Sequence, residues 1–216
     1  LRRAGYRTIC VHPFDRRFFR RDLVMPALGF EEFRGRETLG GRRRPPYCPD
    51  PEFAAAILHV VDETGPDTLI FAITIGNHGP WHAAGPPLDP AVAGLFDPAE
   101  LPDGAGLLRY LDGLRRSDAM LQILRDGLER RGRPAVLAFY GDHLPSLSRA
   151  FAHFGFDEWS SDYAIWPGAG APLRRDLGAC ELGRLVVDIA LADADALALA
   201  APDARRAVHE AAGVAR

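Results

Sequence analysis

The segment Gly141-Asp142-His143-Leu144-Pro145 follows directly on the apolar run Ala135-Val136-Leu137-Ala138-Phe139-Tyr140. A short apolar run of this kind reads as a buried strand. The glycine releases the backbone where the strand stops, and a carboxylate and an imidazole emerge side by side. Both are donors suited to Zn²⁺ or Mn²⁺. Two other strand-like runs end in a similar way. Residues 6–11 lead into His12-Pro13-Phe14-Asp15, where proline cannot continue a central strand. Residues 69–75 lead into Gly76-Asn77-His78-Gly79-Pro80-Trp81-His82. In an open α/β sheet, ligands bind at the carboxyl ends of the strands. If these strands run parallel, His12, His78, Asp142 and His143 are expected along one sheet edge. His59, His82, His153 and His209 have no such context and are read as ordinary histidines.

Beside His12 lies Asp15-Arg16-Arg17-Phe18-Phe19-Arg20-Arg21-Asp22. Most of these arginines are expected in solvent. One facing inward would clamp an anionic substrate, because the guanidinium fork matches phosphate or sulfate oxygens in two-point contact. Phe18 or Phe19 would wall such a pocket.

The elements that must position these groups follow from periodicity and breakers. Residues 1–4 read as the tail of a helix closed by Gly5. Residues 16–44 read as a long Arg- and Gly-rich excursion with a turn at 26–30 and a break at Arg42-Arg43-Arg44-Pro45-Pro46. Asp50-Pro51 is expected to start a helix, Asp as the cap and Pro in the first turn, with Phe53, Ala54, Ile57, Leu58 and Val61 on its apolar face. Residues 107–131 predict a long amphipathic helix carrying Leu107, Leu111, Leu114, Leu121, Leu124 and Leu128 inward, closed by Gly132. A short fourth strand is expected at 163–166, a helix at 182–191, and weak helices in the Ala-rich tail. This order implies an α/β fold with a predominantly parallel or mixed sheet flanked by helices.

Composition sets outer bounds. The 216 residues are 47% hydrophobic and 25% charged, which is ordinary globular composition. The net charge of −3 gives no bulk attraction for nucleic acid. Cys10, Cys48 and Cys180 make no CxxC pair and no disulfide framework. No stretch approaches the ~20 apolar residues of a membrane span.

Several segments occur in an order that resembles the sulfatase-like phosphoglycerol transferases of the alkaline phosphatase superfamily, lipoteichoic acid synthases among them. They are Gly5-Tyr6-Arg7-Thr8-Ile9, His12-Pro13-Phe14-Asp15, Phe18-Phe19-Arg20-Arg21, Pro26-Ala27-Leu28-Gly29-Phe30, Asn77-His78-Gly79-Pro80 and Phe139-Tyr140-Gly141-Asp142-His143-Leu144-Pro145. Tyr163-Ala164-Ile165-Trp166 followed by Ala171-Pro172-Leu173 resembles the family's late strand and loop. The likeness implies an alkaline phosphatase/sulfatase-like fold, incomplete at the amino end, over 1–191, with 192–216 as a helical tail. It implies one divalent metal, Mn²⁺ or Zn²⁺, on Asp142 and His143, and a substrate pocket of His12, Phe19, Arg21 and His78. Relatives often have Trp or Tyr where Phe19 stands, and can carry an acid where Phe14 stands.

The activity so implied is transfer of a phosphoglycerol or related phospho-alcohol group in cell-envelope biosynthesis. The donor would be an anionic phospholipid-derived molecule and the acceptor a glycan or glycolipid, with no nucleic acid involved. The setting would be the extracytoplasmic face of a bacterial membrane, with the parent anchored by an upstream segment. The resemblance implies that the family's threonine nucleophile and upstream acidic ligand lie before Gly5; Thr8, Thr38, Thr64 and Thr74 do not have the context for the role. The 216 residues alone are therefore expected to be catalytically inactive. The alternatives are a sulfatase or phosphodiester hydrolase on the same scaffold, or an inactive truncated piece.

Overall fold

The computed structural model describes residues 1–39, 47–81, 85–132, 134–166 and 175–192. His82, Arg42 to Arg44, the Ala171-Pro172-Leu173 loop, His209 and the tail beyond residue 192 lie outside them. The chain forms two compact units, one of Leu1–Arg130 with Leu144–Trp159, the other of Arg131–His143 with the chain from Ser160 onward.

The first unit is built on a parallel sheet. Strand β1 (Arg7–Val11) lies between β2 (Glu32–Arg34) and β3 (Thr68–Ala72), and both neighbours run parallel to it. Thr8 through Val11 are all buried, as a near-continuous apolar run in a parallel sheet requires. Strand β2 lies inside the segment read as an excursion. The polar-apolar-polar run Glu32–Arg34 is too short to signal a strand by alternation, and pairing with β1 is what makes it one. Helix α1 (Arg21–Ala27) packs on β2 and ends inside the expected 26–30 turn, which Leu28 and Gly29 make.

Helix α2 (Asp50–Glu63) buries Phe53, Ala54, Ile57 and Leu58 as expected, with Val60 rather than Val61 completing the face. Its cap is Pro49. Asp50, expected as the cap, is instead the first helical residue and is buried. After the short α3 (Pro90–Ala93) comes α4 (Gly104–Arg130), the long expected helix, packed against α2. Its buried stripe is Leu108, Met120 and Leu124, whereas Leu114 is exposed. Asp112 and Gly113 displace leucine from the inner face because α4 makes polar contacts there. Helix α5 (Ser148–Phe154) was not legible as an element in the sequence.

In the second unit, β4 (Leu137–Tyr140) pairs antiparallel with β5 (Tyr163–Trp166) in a two-stranded sheet. The described strands thus form a parallel three-stranded sheet in the first unit and an antiparallel two-stranded sheet in the second, within the predominantly parallel or mixed α/β class expected. Helix α6 (Ala179–Leu191) follows.

Candidate functional site

The end of β1 makes a closed hydrogen-bond chain. The His12 N–H donates to the Arg34 carbonyl at 2.9 Å, extending the ladder with β2 by one residue before Pro13. The His12 ring is 1% exposed. Its Nδ1 lies 2.9 Å from the Ile73 carbonyl, an acceptor that carries no proton, so Nδ1–H must donate. That leaves Nε2 with a lone pair, and the Arg21 Nη1–H donates to it at 3.1 Å. Burial, reinforced by the Arg21 charge and opposed by the Ile73 hydrogen bond, holds the His12 pKa below its ordinary 6.5. Neutral His12 therefore acts as an acceptor that aims a guanidinium.

The backbone between them is strained to allow this. Phe19 (φ 53°, ψ 25°) and Arg20 (φ 52°, ψ 35°) are consecutive left-handed residues without being glycine. Each such residue costs on the order of 1–3 kcal/mol and persists only where its surroundings over-determine it. The reversal turns Arg21 back toward β1 and leaves Phe19 exposed. The Arg21 guanidinium carbon lies 5.5 Å from the Phe18 ring centroid and 5.4 Å from that of Phe19, within cation–π range of both.

A train of edge-to-face rings runs from His12 to His78. His12 meets Phe14 at 6.1 Å, Phe14 meets Tyr47 at 5.9 Å, and Tyr47 meets His78 at 5.7 Å. Arg36 lies over the other side of this train, 5.7 Å from the Phe14 centroid. The structure thus brings His12, Arg21, Phe19 and His78 into one connected set at the carboxyl ends of β1 and β3.

The turn carrying exposed His78 is pinned from below by buried polar groups. Asp50 accepts from the Gly76 N–H at 3.2 Å and from the Ser117 hydroxyl at 2.6 Å, tying α2, the β3 exit and α4 together. Burial raises the Asp50 pKa above its ordinary 3.8, against the two hydrogen bonds and the Arg116 charge. Asn77 donates to the Tyr110 carbonyl at 3.2 Å and accepts from the Trp81 indole at 3.1 Å. A Cβ on Gly113 would sit 1.9 Å from the Asn77 amide oxygen, so only glycine lets the turn approach α4 this closely. Tyr47, Asp50 and Ser117 were not recognised as site groups in the sequence. Asp50 carried the signal of a helix start, and nothing local marks Tyr47 or Ser117. His59 and His153 stand apart, His59 paired with Glu63 and His153 against Phe154.

In the second unit, Gly141 is tied to the residues just before β5 by both its backbone groups. Its N–H donates to the Asp162 carbonyl at 3.2 Å, and its carbonyl accepts from the Ser161 hydroxyl. Beyond it, Asp142 and His143 project into solvent with side chains 76% and 64% exposed, and His143 Nε2 lies 3.7 Å from Asp142 Oδ2. A carboxylate and an imidazole at this separation match the donor chemistry of Zn²⁺ or Mn²⁺. They supply two donors, and among the described residues no group of three or more His, Cys, Asp or Glu gathers to hold a metal.

A family model described as Sulfatase matches residues 1–172. The chain is 37% identical over 175 residues to the capsular polysaccharide biosynthesis protein RkpI of Rhizobium meliloti, covering 79% of this chain and 30% of that protein. It is 30% identical over 158 residues to a putative cyclic beta-1,2-glucan modification protein of the same organism, covering 72% and 24%. The phosphoglycerol transferase GacH of Streptococcus pyogenes, solved with sn-glycerol-1-phosphate, superposes with TM-score 0.52 at 26% identity over 75% of this chain and 43% of its own. The lipoteichoic acid synthase LtaP of Listeria monocytogenes (TM-score 0.56, 19% identity, 76% and 43% covered) shares the fold. So does the periplasmic domain of Escherichia coli EptC, solved as a complex with Zn (TM-score 0.53, 14% identity, 76% and 48% covered). The chain spans less than a third of the curated relatives and less than half of the solved chains. Among the described residues no helix is long and apolar enough to cross a membrane.

Proposed function

Since this chain belongs to the sulfatase family, we propose that it is the phosphoryl-group-binding part of a metal-dependent transferase. The enzyme moves a phosphoglycerol or related phospho-alcohol group from an anionic lipid-derived donor to a glycan or glycolipid, at the extracytoplasmic face of a bacterial membrane. The observation that carries this reading is the Arg21 guanidinium, aimed by neutral His12 and walled by Phe18 and Phe19, in the ring-linked set that includes exposed His78. The GacH likeness, in a complex with sn-glycerol-1-phosphate, supports the choice of substrate class.

Arg21 meets the phosphoryl oxygens through its guanidinium, while its bond to His12 holds the rotamer before substrate arrives. Phe19 covers the alcohol carbons from the rim. His78, whose Nδ1 donates to the Gly79 carbonyl at 2.6 Å, presents its Nε2 side to the substrate's oxygens. Asp142 and His143 would hold the metal, which when bound supplies Lewis acidity for the attacking and phosphoryl oxygens.

Two measurements test the reading. Glycerol phosphate titrated into the chain should bind saturably, and Arg21→Ala should weaken it at least tenfold; inorganic sulfate binding as tightly would favour a sulfatase instead. The full-length gene product, given phosphatidylglycerol and Mn²⁺, should release diacylglycerol, and no cleavage of the lipid would overturn the proposal.

A further inference from the structure

The segment that aims Arg21 also carries a run of exposed apolar side chains. Phe19 is 73% exposed, Leu28 68%, Leu23 56%, Val24 42% and Phe18 38%. On α1, Leu23, Val24 and Ala27 fall at helical i, i+1 and i+4 spacing and share a face. All three are exposed, with exposed Arg20 just before the helix, while Met25 turns inward to the core. The helix therefore shows solvent the face that a helix of a globular domain would bury.

The polar partners of this face are basic. Arg16, Arg17 and Arg20 are exposed beside it, against Asp15 and Asp22 in the same stretch. Asp15 accepts from the Arg17 backbone N–H, and Arg16 reaches Glu37 at 3.9 Å. Among the described residues no carboxylate pairs with the Arg17 or Arg20 guanidinium. Phenylalanine and leucine flanked by arginine are the composition of a segment that settles at the boundary between headgroups and acyl chains of an anionic bilayer.

We infer that Phe18–Leu28 is a membrane-surface docking element whose occupant is an anionic lipid bilayer. Leu23, Val24 and Leu28 enter the interface, and Arg17 and Arg20 meet the headgroup phosphates. The consequence is that Arg21, in the same segment, is delivered at headgroup depth. This goes beyond the transferase reading, because peripheral docking needs no turnover and is separate from any anchor elsewhere in the protein. The charge complementarity selects a bilayer over a second copy of the chain, whose identical face would set arginine against arginine.

The test is co-sedimentation of the chain with vesicles of phosphatidylcholine alone and of phosphatidylcholine with one-quarter phosphatidylglycerol. Each arginine near an anionic surface strengthens partitioning roughly fivefold, so Arg17→Glu with Arg20→Glu should lower binding to the anionic vesicles more than tenfold. Leu23→Glu with Leu28→Glu should lower it similarly. Leu23→Ser with Leu28→Ser serves the same purpose with less perturbation, and circular dichroism confirms that each variant is folded. Absence of binding to the anionic vesicles, or binding unchanged in both classes of variant, overturns the inference. So does concentration-dependent dimerisation abolished by the same leucine variants, which would assign the face to a second copy. Glycerol phosphate binding is read separately, so the vesicle result and the transferase reading can fail independently.

Discussion

Replacing His12 by phenylalanine keeps a planar ring in a site that is 1% exposed and removes both nitrogen contacts at once. Two consequences follow with different magnitudes. The half-buried Ile73 carbonyl loses its donor, and an orphaned acceptor costs up to about 1–3 kcal/mol of stability. At roughly 2–4 °C per kcal/mol for a chain of this size, the melting temperature should fall by about 2–12 °C. Arg21 loses its acceptor, and a hydrogen bond involving a charged group contributes about 1.5–3 kcal/mol. With every 1.4 kcal/mol worth tenfold, glycerol phosphate affinity should weaken by about 10- to 100-fold. His12→Gln, whose amide carries one donor and one acceptor, should recover part of both.

The pH profile separates this role from simple packing. Protonating His12 replaces the Nε2 lone pair by an N–H pointing at a guanidinium. Because burial first and the Arg21 charge second depress the His12 pKa below 6.5, the clamp should hold throughout the range above 6.5 and fail only under more acid conditions. Isothermal titration across pH, with ¹⁵N spectra to identify the ring tautomer, is the assay. Unchanged affinity in His12→Phe would refute the reasoning, as would an imidazole with its proton on Nε2 at neutral pH. The same shift bears on stability. The unfolded chain binds the proton at higher pH than the folded chain does, so this contribution is complete above 6.5 and is lost as pH falls through the folded value.

Three further outcomes are expected. Gly113→Ala should destabilise the first unit by about 1–3 kcal/mol, because the new methyl overlaps the Asn77 amide, and denaturant midpoints read it directly. Asp142→Ala or His143→Ala should each abolish Mn²⁺ or Zn²⁺ uptake by the chain, measured by titration and metal analysis after dialysis; retention by both variants would move the metal elsewhere. Asp50, with its folded pKa raised by burial, makes the folded chain the better proton binder, so wild-type stability should fall as pH rises from 3.8 through the folded value. Asp50→Asn should flatten that slope in urea denaturation.

The strand runs at 7–11 and 68–72, the long helix after residue 103 and the exits at His12, His78 and Asp142-His143 were legible because they rest on local signals: apolar runs, helical spacing, and glycine or proline at the breaks. The Phe19 and Arg21 positions were legible through resemblance, with nothing in their own spacing to say which arginine turns inward. The sequence alone determined which side chains stand at the strand ends. Tertiary structure decided how they are held. Left-handed backbone at Phe19 and Arg20 picks Arg21 from four neighbouring arginines, and burial keeps His12 neutral enough to receive it. Asp50, read as a cap, bridges Gly76 and Ser117, a contact across 67 residues that no window of sequence encloses. The pairing of β4 with β5 belongs to the same class, because strand partners are chosen by distant chain and not by the strand's own residues.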